Sequence, residues 1–77
     1  MESFGQRVKR LRQANVMTQA ELAEKAGLSW VTVARLETEE GQANPRPSTV
    51  RGLAGALGVD PTWLLLGDEG ERLKAAA

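Results

Sequence analysis

The stretch from Thr18 to Glu37 constrains the fold more than any other part of this sequence. Thr18 stands three residues before Glu21, the spacing of a capping box. In that box the hydroxyl accepts from the backbone N–H of Glu21 and the carboxylate reaches back to that of Thr18. Leu22, Ala23 and Ala26 follow at helical spacing. Gly27 then reaches positive φ at little cost and ends the helix. Ser29 is a second N-cap, for a helix whose inward positions are Val33 and Leu36. Ala23 occupies the position where the two backbones must approach most closely. Two short helices joined by a tight glycine turn match the unit that lays its second helix in the major groove of DNA. The same pattern describes an αα-hairpin in any small bundle, and period and caps alone do not choose between them.

The flanking sequence extends the pattern to five helices. The first spans about Ser3 to Ala14, capped by Ser3, with Phe4, Val8 and Leu11 as its buried stripe and Arg7, Lys9 and Arg10 projecting outward. The fourth spans about Pro47 to Leu57; proline suits the first turn, and Val50, Leu53, Ala54 and Leu57 face inward. Gly52 and Gly55 weaken this helix by about 1 kcal/mol each relative to alanine unless close packing needs them. A fifth, short helix has Asp60 as cap, Pro61 at its first position, and Trp63, Leu64 and Leu66 on an apolar surface. With 77 residues, no cysteine and few aromatics, the chain reads as one all-α domain over 1–67 with a short tail or linker over 68–77. Leu64-Leu65-Leu66 is far too short to span a membrane.

Several motifs occur in a particular order. A basic first helix (Arg7 to Gln13) precedes Thr18-Gln19-Ala20-Glu21-Leu22-Ala23. Next come Gly27-Leu28-Ser29 and the segment Trp30 to Glu37. Leu53 to Val59 and Trp63-Leu64-Leu65 close the series. This order resembles the phage-repressor-like (Xre-type, lambda-repressor-like) helix-turn-helix family over roughly Phe4 to Gly67. The resemblance implies a compact five-helix DNA-binding domain that reads duplex DNA with its third helix. Two places depart from the family pattern. Val16 stands where a glycine is usual, so Asn15 is expected to take the left-handed position, since valine is poorly suited to positive φ. The connection Thr38 to Arg46 is longer than usual, and Glu39 and Glu40 would repel a phosphate backbone unless they point away.

By this resemblance the base-reading positions are Ser29, Trp30, Val31, Thr32 and Arg35. Trp30 and Val31 are unusual there: apolar contact with thymine methyl groups is one use, and a Trp30 folded back as a lid on the core is the other. Arg35 fits either a fork to guanine O6 and N7 or a phosphate. Thr32 reaches a base or phosphate, or simply serves the turn. Gln19 opens the second helix, where unpaired N–H groups suit a phosphate. The family's Gln clamps a phosphate and braces the recognition helix; the plain alternative is a solvated first-turn side chain. Arg10, Asn44 and Arg46 are further phosphate contacts, with Gln42 and Lys9 weaker ones. Arg12 and Glu37 are implied to form a partly buried ion pair between the first and third helices.

Charge qualifies this picture. Ten basic and ten acidic residues leave no net charge, which is unusual for a nucleic-acid binder. The distribution is polarised: six basic residues stand against four acidic over 1–37, and two against four over 52–77. Specific contacts must then carry more of the affinity. The absence of histidine and cysteine removes imidazole bases, thiolate nucleophiles and the usual transition-metal ligand sets, so no enzyme and no cofactor is expected. The expectation is a cytoplasmic transcriptional regulator, a repressor, binding a palindromic operator as a homodimer built from the fifth helix around Leu65 and Leu66 and the tail after Gly67. The alternative is a protein-interaction module such as the DNA-binding half of an antitoxin.

Overall fold

A computed structural model describes residues 2–38 and 45–68. The described residues form α1 (Phe4–Ala14), α2 (Gln19–Ala26), α3 (Trp30–Thr38), α4 (Pro47–Leu57) and α5 (Pro61–Leu66), with no strand among them. The all-α expectation and the order of the five helices hold. Glu39, Glu40, Gln42 and Asn44 in the long connection lie outside the described residues, as does the tail beyond Asp68.

Local chemistry starts the helices where the sequence places the starts. Ser3 and Gln6 form a reciprocal capping box on α1, and Thr18 and Glu21 form another on α2. The Asp60 carboxylate accepts from the Trp63 backbone N–H at 3.0 Å, with Pro61 at the first helical position of α5. The Ser29 hydroxyl accepts from the Thr32 N–H at 3.2 Å and opens α3.

The ends are equally determined. Beyond α2, Leu28 N–H donates to the Ala23 carbonyl and Gly27 N–H to that of Glu24, the paired bonds of a Schellman turn with Gly27 left-handed. Beyond α1 the same motif recurs, with Met17 N–H bonded to the Arg12 carbonyl and Val16 N–H to that of Gln13. Here the left-handed residue is Val16, at φ 56°, and not Asn15, at φ −91°. The expectation for Asn15 is corrected for a definite reason. Asn15 still belongs to the helix end: its side-chain amide donates to the Leu11 carbonyl at 2.7 Å, and its backbone N–H reaches the Leu11 and Arg12 carbonyls. The reversal therefore falls one residue later.

The core draws on every helix: Phe4 and Val8 of α1, Leu22 and Ala23 of α2, Val33 of α3, Val50, Leu53, Ala54 and Leu57 of α4, and Leu64 of α5. α2 packs against both α3 and α4, while α1 lies across α3 and α5. Two glycines set the closest approaches. A methyl group on Gly5 would overlap the Leu36 carbonyl oxygen, so α1 and α3 touch backbone to backbone. One on Gly52 would sit 2.5 Å from the Ala26 carbonyl oxygen, so α4 meets the end of α2 in the same way. Gly55 has no neighbour there within 4 Å. Of the two glycines in α4, packing needs the first and not the second.

Arg7 overturns its sequence reading. It does not project outward but is buried, its guanidinium donating to the Leu64 carbonyl at 2.9 Å and to the Glu2 carbonyl at 3.2 Å. It also lies 5.9 Å from the Trp63 ring centroid. The Leu64 carbonyl belongs to the last turn of α5, where helix carbonyls lack intrahelical partners. A long cation from α1 supplies the missing donor, and that outweighs its desolvation. No described helix is long and apolar enough to cross a membrane.

Candidate nucleic-acid interface

The surface built by α2 and α3 rests on a chain of side chains that begins in α1. The Arg12 guanidinium grips the Glu37 carboxylate with two bonds, Nε to Oε2 at 2.7 Å and Nη2 to Oε1 at 2.9 Å. Its remaining nitrogen, Nη1, donates to the Met17 carbonyl at 2.8 Å, which ties the same arginine to the turn between α1 and α2. The Glu37 side chain is 1% exposed and that of Arg12 12%. A buried carboxylate in this position is tolerable because its charge is paired and its lone pairs are used.

Glu37 also receives the side-chain amide of Gln19. Gln19 Nε2 donates to Glu37 Oε1 at 3.0 Å, and Gln19 Oε1 accepts from the Trp30 indole N–H at 3.3 Å. With each end of its amide engaged, Gln19 has one orientation that satisfies both partners. The first residue of α2 thus holds α3 at its first turn and at its last. No buried side-chain nitrogen or oxygen among the described residues is left without a partner.

The outward side of α3 carries the five positions marked in the sequence. Trp30 is 57% and Val31 50% exposed, the two large apolar side chains that α3 leaves in water. Trp30 is neither a buried lid nor free, since its N–H is held by Gln19 while its ring remains accessible. The hydroxyls of Ser29 and Thr32 lie 2.8 Å apart and share a hydrogen bond. The Arg35 guanidinium is exposed, one turn beyond Val31, and makes no ion pair or hydrogen bond to another described residue. Thr38, beyond it, turns its hydroxyl back to the Ala34 carbonyl at 2.9 Å.

The positions marked for phosphate are dispersed. Gln19 stands at the start of α2, half-buried and committed as described. Arg46 is exposed at the N-cap position of α4, where it makes no side-chain capping bond. Asn44 lies outside the described residues. Arg10 is exposed but engaged: its guanidinium forks to the Glu2 carboxylate at 2.7 and 3.1 Å. That hydrogen bond holds the Glu2 carboxyl below its ordinary range, with the charges of Arg10 and Arg7 adding to it against partial desolvation.

These pairings redraw the charge distribution. Of the six basic residues over 1–37, Arg7 and Arg12 are consumed inside the fold and Arg10 is matched by Glu2. Lys9, Lys25, Arg35, Arg46 and Arg51 carry the exposed positive charge that forms no ion pair with a described residue. Sequence reasoning missed Arg7 and Glu2 because nothing in helical spacing reveals a partner 57 positions away, or an acid lying just outside a helix.

Comparisons with known proteins agree with this architecture. A family model described as a helix-turn-helix domain matches residues 3–64. The immunity repressor protein of Bacillus phage phi105 is 42% identical over 67 residues, which is 87% of this chain and 44% of that protein. The HTH-type transcriptional repressor RghR of Bacillus subtilis is 36% identical over 59 residues, 77% of this chain and 43% of that protein. The chain thus spans less than half the length of these curated relatives. Among solved structures, the P22 c2 repressor in complex with a synthetic operator superposes with a TM-score of 0.79 at 28% identity, covering 88% of this chain and all of that one. The restriction-modification controller protein C.AhdI of Aeromonas hydrophila superposes with a TM-score of 0.71 at 37% identity, covering 80% and 91%. Capped helices in this order, the buried Arg12–Glu37 pair behind the third of them and the match over residues 3–64 together make this chain a member of the helix-turn-helix family.

Proposed function

We propose that this chain binds duplex DNA in a sequence-specific manner and regulates transcription as a repressor, presenting α3 to the major groove. The observation that carries the reading is the chain of bonds from Arg12 through Glu37 and Gln19 to Trp30, which fixes α3 while leaving its outer face in water. A helix held in place, with the Arg35 guanidinium unpaired among the described residues, suits groove recognition, because ordering costs are met before DNA arrives. Ser29, Trp30, Val31, Thr32 and Arg35 are assigned to the bases. Gln19, Arg46, Asn44 and Arg10 are assigned to phosphates, Arg10 after exchange of its Glu2 partner. Arg35 forking to guanine would contribute about 1–3 kcal/mol of discrimination.

Binding is assigned to a homodimer on a palindromic operator, with two recognition helices about 34 Å apart. Leu65 and Leu66 of α5 are exposed, and Leu65 borders an open groove of about 340 Å³ lined also by Pro45, Pro47, Val50 and Pro61. This apolar surface is the assigned dimer contact. The setting is the cytoplasm, and no step requires catalysis or a cofactor. The relatives named as repressors support the regulatory role, as does the superposition on a repressor bound to its operator.

Selection from a random duplex pool tests the reading. An inverted repeat should be enriched, and Arg35→Ala should erase the preference at one base pair per half-site while enrichment elsewhere persists. Absence of enrichment at low salt would overturn it and direct attention to protein partners, including a toxin.

A further inference from the structure

Resting on the homodimer reading above, in which α5 carries the contact between copies, we infer that Arg7 sets the half-site spacing that the dimer accepts. It does so by fixing the end of α5 to α1, the same helix whose Arg12 fixes α3. A dimer selects one spacing only if each copy holds its recognition helix and its contact helix in a constant relation. α1 packs against both α3 and α5.

The grip on α3 is tight. Gly5 brings the backbones of α1 and α3 together at Leu36, and the Arg12 guanidinium forks to Glu37. The grip on α5 needs a side chain. Asp60 and Pro61 fix the start of that helix locally, but Leu64 is its one buried residue, and Leu65 and Leu66 are exposed. Arg7, buried on α1, holds the last turn: its Nη1 donates to the Leu64 carbonyl at 2.9 Å, and its guanidinium lies 5.9 Å from the Trp63 ring centroid. It also packs against Gly67, where a methyl group would sit 2.7 Å from Nη2. The guanidinium is itself tethered, with Nη2 donating to the Glu2 carbonyl at 3.2 Å and Nε 3.6 Å from the Glu2 carboxylate. A planar fork with donors in fixed directions makes these contacts together; a single ammonium does not. Leu65 and Leu66 follow Leu64 directly and take their position from this clamp. Arg7 and Arg12 are about 7.5 Å apart along α1, so one short rigid helix relates the assigned dimer contact to the recognition helix.

The test is selection from a pool of inverted repeats whose two half-sites are separated by gaps of varied length. The wild-type protein should enrich one gap, since each added base pair turns a half-site by about 34° and moves it by about 3.4 Å. A gap one base pair too long or too short should weaken binding on the order of tenfold, the worth of one mismatched base pair. Arg7→Lys and Arg7→Met leave Leu64 in the core, and their folding is checked by thermal unfolding. Both should enrich the same half-site bases but accept the neighbouring gaps within about twofold of the best one. Gly67→Ala strikes the guanidinium from the end of α5, outside the core, and should relax the gap in the same way if the Arg7 variants do not fold. Full gap preference in these variants would overturn the inference while leaving the dimer in place. Parallel loss of base preference and gap preference would also overturn it, because Arg7 would then support the fold as a whole. Enrichment of single half-sites alone by the wild-type protein would overturn the dimer reading, and enrichment of no sequence would overturn DNA binding as well.

Discussion

Val16 sits at φ 56° with 89% of its surface in water, in the place where a Schellman turn normally carries glycine. A branched side chain in the left-handed region is disfavoured by about 1–2 kcal/mol, and its exposure means that no packing offsets the cost. The turn survives because Arg12 brackets it: its carbonyl accepts the Met17 N–H, and its guanidinium donates to the Met17 carbonyl. The same arginine holds Glu37, so the turn and the orientation of α3 depend on one side chain. Val16→Gly should relieve the strain, and after the extra chain entropy of glycine in the unfolded state it should add about 0.5–1 kcal/mol of stability. A urea titration measures this, and a midpoint that stays or falls would show that Val16 is not strained.

Among the elements, α4 makes the distinction between propensity and packing testable within one helix. Gly52 and Gly55 carry the same propensity penalty in sequence, but only Gly52 faces a neighbouring backbone, the Ala26 carbonyl. Gly55→Ala should stabilise the protein by about 0.5–1 kcal/mol, since the added methyl group meets nothing. Gly52→Ala should destabilise it by about 2 kcal/mol, because the carbonyl it strikes belongs to a helix end already fixed by its own turn. Thermal unfolding of the two variants should shift in opposite directions; a shared direction would mean that α2 and α4 can separate without cost. Gly5, at the crossing of α1 and α3, belongs to the same class as Gly52. It was not singled out in the sequence because a glycine in a helix looks like a weakness until the opposing backbone is known.

For the whole molecule, electrical neutrality conceals an uneven use of charge. Arg7, Arg10 and Arg12 are spent on the Leu64 carbonyl, Glu2 and Glu37, so the fold takes basic groups that composition would credit to a phosphate surface. Acid should expose this dependence. Arg10 holds the Glu2 carboxyl below its ordinary value of 4.5, chiefly by hydrogen bonding, and the Thr18 backbone N–H does the same for Glu21, helped by the Thr18 hydroxyl and by Lys25. A carboxyl lowered in the folded state contributes stability that is complete above its unfolded value and lost as pH falls through its folded one. The thermal midpoint should therefore hold steady down to about pH 5 and decline below about 4.5, and Glu21→Gln should lessen the decline. A flat profile to pH 3 would show that neither carboxylate supports the fold.

The order of the helices, their starts, and the inward positions Val8, Leu22, Val33, Leu53 and Leu64 were legible in the chain, because caps and the 3.6-residue period act over a few neighbouring residues. The positions on the outer side of α3 were legible through the family resemblance and not through spacing, and their roles on DNA stand as proposals. Tertiary structure decided what lies between distant residues. Only packing brings Arg7 of α1 to the carbonyl end of α5, and only packing places Gln19 within reach of both Glu37 and Trp30. The left-handed residue falls at Val16 and not at Asn15 for a local reason, the bonds that commit Asn15 to the end of α1. Local hydrogen bonding and periodicity are properties of short segments and can be read from them. A buried cation, a bridging amide and a backbone crossing at glycine depend on the distance between elements, which exists only once all five helices share one core.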